Sequence, residues 1–322
     1  MRHLLATLLL QLCIQWACTS VQATPVNLSA HKRILFLGDS ITHAGHYVSY
    51  LECQLRQDGG PMPELIQIGL PSETCSGLSE PEHPWPRPNV HERLKRALRK
   101  TDPDLVFACY GMNDGIYHPF SETRFAAFEK GLETLIAEVD RHGAKLILLT
   151  PPPFDPIQLK GTPKLRPLGA RSYAWFAIYE GYDDVLKKYA RHILGQERDP
   201  RVLATVDLHT AVTEAFNRQR RTTPGFSFHP DGVHLDAGGH KVMADAILRR
   251  LGTADPSKDP DEALYQLVHK RQTLLHYSWL THVGHKRPNT KAGIPLPQAK
   301  KQAEILEKNI QKHLESATKR KP

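Results

Sequence analysis

The stretch Ile34 to Gly45 reads ILFLGDSITHAG, and the reading of its serine decides the fold. Four apolar residues run straight into Gly38, Asp39 and Ser40, after which small and polar residues take over. An unbroken apolar run of this kind suits a strand covered on both faces. Gly38 allows a sharp turn, and Ser40 then stands where the next helix would begin. A serine in that place is either an N-cap or a nucleophile lying among the free N–H groups of a helix start. One serine does not settle the choice. A base, an orienting acid and an oxyanion site must be sought elsewhere in the chain.

Working outward, residues 33–37, 64–68, 105–109, 145–149 and 202–206 form short apolar runs that read as strands. Amphipathic spacing predicts helices over 47–57, 90–100, 122–142, 172–193 and 208–219. A last core helix runs from Ala237 to about Leu251, with Val242, Met243, Ala246, Ile247 and Leu251 on one face. Strands alternating with helices imply an α/β fold, a parallel sheet with helices on both sides. Right-handed crossovers then gather the loops after the strands at one edge, where open parallel sheets bind ligands.

Chemistry is therefore to be sought in the residues that follow the strands. After the third strand, "ACYGMNDG" carries Gly111, which permits close backbone approach, and Asn113, whose amide can donate to a substrate oxygen. Asn and Asp also serve turn geometry, so this stretch alone decides nothing. After the second strand, "GLPSETCSGL" offers the backbone N–H of Ser72. Late in the chain, "FHPDGVHLDAGGHKVMADAIL" sets Asp231 and His234 three residues apart, just before the last core helix. In a tight turn that spacing lets the carboxylate hold one imidazole nitrogen while the other takes a proton from a serine. An isolated Asp-x-x-His means little among 18 histidines. Paired with Gly-Asp-Ser after the first strand, it carries weight.

With these motifs together, the chain resembles the SGNH (GDSL) hydrolase family over about 33–251. Ser40 in "GDSI" matches the family's nucleophile, Asn113 in "GMND" its oxyanion asparagine, and Asp231 and His234 in "DGVH" its acid and base. The resemblance implies a three-layer α/β/α sandwich with a flavodoxin-like, parallel five-stranded sheet of order 2-1-3-4-5. It also implies a carboxylic ester hydrolase that needs no metal and no cofactor. The family's oxyanion glycine falls on Ser72, a departure that a backbone donor tolerates if the dihedrals suit a side chain. The oxyanion donors are then Ser40, Ser72 and Asn113. Asp39, Gly111, Tyr117 and His229 are candidates for the surrounding pocket. His240 in "GGHKVMA" resembles another recurrent family position, and as a helix residue it is expected to pack under the loop.

Within the family, "LPSETCSGLSEP" and "YGMNDGIY" look most like exported bacterial carbohydrate esterases. The substrate this implies is an acylated carbohydrate, with acetyl the expected acyl group. A lipid or lysophospholipid esterase with the same triad is the alternative, although no long apolar lid segment is evident. A glycan-binding protein with a vestigial triad is the rival outside enzymes, but no triad residue is lost.

The ends of the chain supply the remaining expectations. Arg2 and His3 precede an apolar run, and Val21-Gln22-Ala23 offers a small-residue cleavage site. Residues 1–23 thus read as a signal peptide, which directs the protein to the periplasm or outside the cell. The run is too short for a stable membrane span. Removal of the leader leaves Cys53, Cys75 and Cys109, too few for a disulfide framework; a Cys53–Cys75 bridge stays open. The hydrolase domain is expected over 24–252, followed by a basic extension over 253–322, partly packed and partly helical. Residues 251–322 hold 13 Lys+Arg against 7 Asp+Glu, most of the formal net charge of +8. That excess fits either a solvated extension or attraction to an acidic glycan. Residues 264–283 are expected to pack on the domain, with recruitment left open for 300–321. Nucleic acid is disfavoured, because no basic-aromatic recognition module is visible.

Overall fold

Strand β1 (Arg33–Gly38) lies between β2 (Glu64–Gln67) and β3 (Leu105–Cys109), and β4 (Lys145–Leu149) and β5 (Val202–Val206) continue beyond β3. All four pairings are parallel, so the order is β2-β1-β3-β4-β5. These relationships come from a computed structural model, which describes residues 25–252 and 261–319. The expected leader and residues 253–260 lie outside the described residues. In β3 every residue is buried, and in β1 all but the first. Successive strand side chains point to opposite faces, so both faces of the sheet centre are covered.

The described residues form nine α-helices: α1 (Ser40–Ala44), α2 (His46–Gln57), α3 (Val90–Thr101), α4 (Glu122–His142), α5 (Tyr182–Gly195), α6 (Leu208–Arg220), α7 (Ala237–Leu251), α8 (Glu262–Val283) and α9 (Leu296–Lys319). Side chains of Asp39, Asn89, Ser121, Asp207, Asp236 and Asp261 accept from free N–H groups at the starts of α1, α3, α4, α6, α7 and α8. Among the described residues no helix is long and apolar enough to cross a membrane.

One element departs from expectation. Residues 172–181 are not helical, and α5 begins only at Tyr182. The N–H groups a helix would use are engaged elsewhere. Trp175 N–H donates to Glu80 Oε1 at 3.3 Å, and Tyr179 N–H to the Tyr117 carbonyl at 3.0 Å. Ile178–Tyr179 pairs with Leu165–Arg166, and Trp175 and Phe176 are left exposed.

Helix α8 packs on α2 and along β2, the outermost strand on its side. His276 Nδ1 lies 3.1 Å from the Gln67 carbonyl. Beneath this contact, the fully buried Glu52 carboxylate receives Arg56 (2.7 Å) and Arg271 (2.5 Å), together with the Gln272 amide. Burial opposes ionisation of Glu52, but the two guanidiniums outweigh it and its pKa is lowered. From α9, Glu307 also binds Arg56 at 2.7 Å. Leu264, Tyr265 and Val268 of α8 and Ile310 of α9 form an apolar cluster around Cys53. Cys53, Cys75 and Cys109 are all free and buried, so Cys53 and Cys75 do not pair.

Candidate active site

At the end of β1 the backbone is too crowded for a side chain. A Cβ on Gly38 would meet Thr42 Oγ1 at 2.2 Å and the Cys109 carbonyl at 2.9 Å. Asp39 is the N-cap of α1, accepting from Ile41 N–H at 2.9 Å. Ser40 is therefore the first helical residue rather than the cap, and its hydroxyl is left for other work.

That hydroxyl meets the turn before α7. Ser40 Oγ lies 2.9 Å from His234 Nε2, and His234 Nδ1 lies 2.7 Å from Asp231 Oδ2. The other carboxylate oxygen of Asp231 accepts from the backbone N–H of Val233 (3.0 Å) and His234 (2.8 Å). Gly232, at φ +85°, makes the turn that closes this loop. Because a carboxylate only accepts, Nδ1 carries the proton and Nε2 is left to accept from the serine. Burial works against charge on both residues, but their mutual contact dominates. The Asp231 pKa is held below the usual carboxylate range, and that of His234 is raised above its ordinary value. About half of the His234 side chain is exposed (51%), so the site is open.

Asn113 is buried beside Ser40's neighbour Asp39. Its Oδ1 accepts from Arg87 Nη1 at 3.0 Å and from the Tyr117 hydroxyl at 2.9 Å. Both are donors, which fixes the amide the other way round for Nδ2. Nδ2 donates to Asp39 Oδ2 (3.2 Å) and to the Glu73 carbonyl (3.3 Å). Burial pushes the Asp39 carboxyl up to about 7.

Ser72 has φ +66°, the left-handed conformation that glycine favours. The turn carrying it is tied to the Asn113 loop by Asp114. That carboxylate accepts from Cys75 N–H (2.8 Å), Ser76 N–H (2.6 Å) and Gly111 N–H (2.9 Å). Arg87 adds a second tie, from Nη1 to the Ser72 carbonyl at 3.4 Å. Its remaining nitrogens grip the buried Glu80 in two bonds of 2.6 Å.

Ser40, His234, Asp231, Asn113 and Ser72 thus converge at the carboxyl edge of the sheet, with Asp39, Gly111 and Tyr117 beside them. His229 does not join the pocket surface. It is fully buried near Phe216, and neither ring nitrogen has a partner among the described residues. His240 is a buried helix residue stacked on Tyr47, as expected. Arg87 and Glu80 are contributors that the sequence reading missed. Their only signal was the Pro-rich segment "EPEHPWPRPN", which carries no periodicity. Among the described residues, no group of three or more His, Cys, Asp or Glu is placed to hold a metal ion.

Residues 36–242 match the family described as GDSL-like lipase/acylhydrolase. No curated protein matches the sequence. Among solved structures, the chain is similar to BT4096, a gut microbial diltiazem-metabolizing enzyme, at 16% identity and a TM-score of 0.55. That match covers 72% of this chain, which spans about half (48%) of BT4096. It is also similar to Axe2, an acetylxylan esterase from Geobacillus stearothermophilus, at 20% identity and a TM-score of 0.50. That match covers 72% of this chain and 96% of Axe2. At these identities the likeness is one of fold.

Proposed function

The chain belongs to the GDSL-like lipase/acylhydrolase family, is a carboxylic ester hydrolase, and on that premise we propose that it is an exported serine esterase removing acetyl or similarly small acyl groups from carbohydrates. The observation that carries the mechanism is the continuous chain from Asp231 through His234 to Ser40, at 2.7 and 2.9 Å. In this reading Ser40 Oγ attacks the ester carbonyl while His234 Nε2 takes its proton. Asp231 holds the imidazole tautomer and stabilises the imidazolium. The carbonyl oxygen, now an oxyanion, is met by Asn113 Nδ2 and the N–H groups of Ser40 and Ser72. The tetrahedral intermediate collapses, His234 returns the proton to the sugar oxygen, and the alcohol departs. A water deprotonated by His234 then attacks the acyl-serine, and a second collapse frees the carboxylic acid and Ser40.

The half-exposed His234 leaves room at the triad for a bulky alcohol such as a sugar. The likeness in fold to an acetylxylan esterase points the same way. We take residues 24–252 as the hydrolase domain, 253–322 as its extension, and 1–23 as the leader. The test is acetate release from a panel of acetylated glycans, alongside p-nitrophenyl esters of increasing chain length. Acetate release with a preference for the acetyl ester is expected. A preference for long acyl chains with no acetate release would overturn the carbohydrate reading in favour of a lipid esterase.

A further inference from the structure

The connection between α8 and α9 is strongly basic. Residues 284–295 include His285, Lys286, Arg287 and Lys291 and no acid. Lys286 and Arg287 line a cavity of about 390 Å³ with Leu70, Glu73, Trp85 and Arg87, which belong to the segment that carries Ser72. That volume is within the range of small-ligand sites.

The charges lining this cavity do not cancel locally. Glu73 is held by Arg93 at 2.7 Å, and Glu92, also in the wall, by Arg96 at 3.2 Å. Arg87 is held by Glu80. Lys286 and Arg287 have no carboxylate partner among the described residues. Arg287 donates only to its near neighbours, the Pro288 carbonyl and Thr290 Oγ1. Its guanidinium sits over the Trp85 ring, 5.4 Å from the centroid. Arg287 Nε and Trp85 Nε1 are both buried donors without an acceptor among the described residues. A buried donor left unmet costs free energy. With Arg287 over the Trp85 ring, the cluster offers a sugar no free indole face but cationic donors for an oxyanion that it carries.

The place of the cavity gives it a role. Leu70 and Glu73 flank Ser72 in sequence, and Arg87 binds both Asn113 Oδ1 and the Ser72 carbonyl. Arg87 is thus shared between the cavity wall and the proposed oxyanion loops. We propose that the cavity formed by Trp85, Lys286 and Arg287 is a subsite for an oxyanion-bearing sugar, a uronate carboxylate or a sulfate ester, adjoining the acylated unit. The proposal rests on the carbohydrate esterase reading for its purpose, but its binding chemistry is testable without turnover.

The experiment is calorimetric titration of the full chain with tetragalacturonate, a sulfated galactan tetrasaccharide and neutral xylotetraose. It is repeated on Lys286→Gln/Arg287→Gln and on Arg287→Lys. One or both anionic probes are expected to bind more tightly than xylotetraose. Which of them binds identifies the oxyanion. The double variant should weaken that binding by about tenfold to a hundredfold, and Arg287→Lys should recover part of it. Hydrolysis of p-nitrophenyl acetate should be unchanged in both variants, which also shows that they fold. Equal binding of neutral and anionic probes, or no binding of either anionic probe, would overturn the subsite. So would undiminished anionic binding by the double variant. A protein that binds the anions but cleaves no ester keeps the subsite and loses the esterase reading. One that cleaves acetylated glycans with no anionic preference does the reverse.

Discussion

Arg87 Nη1 donates to Asn113 Oδ1 at 3.0 Å, while the rest of its guanidinium is clamped by Glu80. With Tyr117 claiming the same oxygen, the amide is fixed with Nδ2 toward Asp39 and the Glu73 carbonyl, and an oxyanion would take over one of these two long contacts. Arg87 is therefore a positioning residue for the proposed oxyanion site.

Asn113→Ala should lower kcat on p-nitrophenyl acetate by roughly 10²- to 10³-fold with little change in KM, because its contact strengthens in the transition state. Arg87→Ala should lower kcat by about tenfold to a hundredfold and reduce Tm, since it strands a buried Glu80 carboxylate. The double variant should be little worse in kcat than Asn113→Ala alone. Full additivity of the two losses would show that Arg87 acts by another route.

Replacement of the nucleophile should separate fold from chemistry. Ser40→Ala removes one hydroxyl at a strand end, so Tm should change little, while ester hydrolysis falls by roughly 10⁴- to 10⁶-fold. Retention of a tenth of the wild-type rate would sink the assignment of Ser40.

Ser72 offers a test of backbone against side chain. Ser72→Gly relieves a left-handed φ of 66° and should leave activity intact, with Tm unchanged or raised. Ser72→Pro cannot adopt that φ and lacks the N–H, and should lose about 10²-fold or more in kcat. If Ser72→Gly loses activity as Ser72→Pro does, the hydroxyl rather than the amide is at work.

The pH profile follows from the triad. His234 must be neutral to accept the serine proton, and its pKa is raised by Asp231 and further by Asp39. Activity should therefore fall as pH drops through that raised value, while Asp231, with its lowered pKa, stays ionised. Asp39→Asn keeps a residue able to cap α1 and removes a carboxyl that, with its pKa pushed up to about 7, is charged only in the upper part of that pH range. The acid limb of kcat/KM should move to lower pH. An upward-shifted limb would contradict the electrostatic coupling.

Removal of residues after Pro297 tests what α9 contributes. It deletes Glu307, which binds Arg56, but leaves the Arg56–Glu52 pair in place. Tm should fall, and the kinetics on each ester, acidic or neutral, should be unchanged by the truncation. A KM rise confined to acidic glycans, and lost at high salt, would instead give α9 a recruiting role.

The five strands were legible because covered strands need continuous apolar runs, and β3, for instance, has no polar residue. The proposed triad was legible from two short spacings, Gly-Asp-Ser and Asp-x-x-His, placed at matching ends of the fold. What stayed hidden was held by contacts with no sequence period. Arg87 and Asn113 are 26 positions apart and meet only because the Pro-rich segment folds back. The helix expected at 172–193 failed at its start because Trp175 and Tyr179 give their N–H groups to Glu80 and Tyr117. Its amphipathic spacing records burial without recording which acceptor the backbone chooses. His229 was a pocket candidate and is instead fully buried, because burial is a property of the whole packing.

Along β2, alternate backbone groups pair with β1, and the Gln67 carbonyl faces the other way, toward His276 of α8. Such an outer strand, if bare, is a template on which a second chain can add a strand. Helix α8 removes that template. A chain cut short at Gly252 would retain the proposed triad and its loops, but it would present an uncovered strand edge to every other copy in solution. Its failure should appear as concentration-dependent association through paired strands, visible by light scattering before any loss of the chemistry.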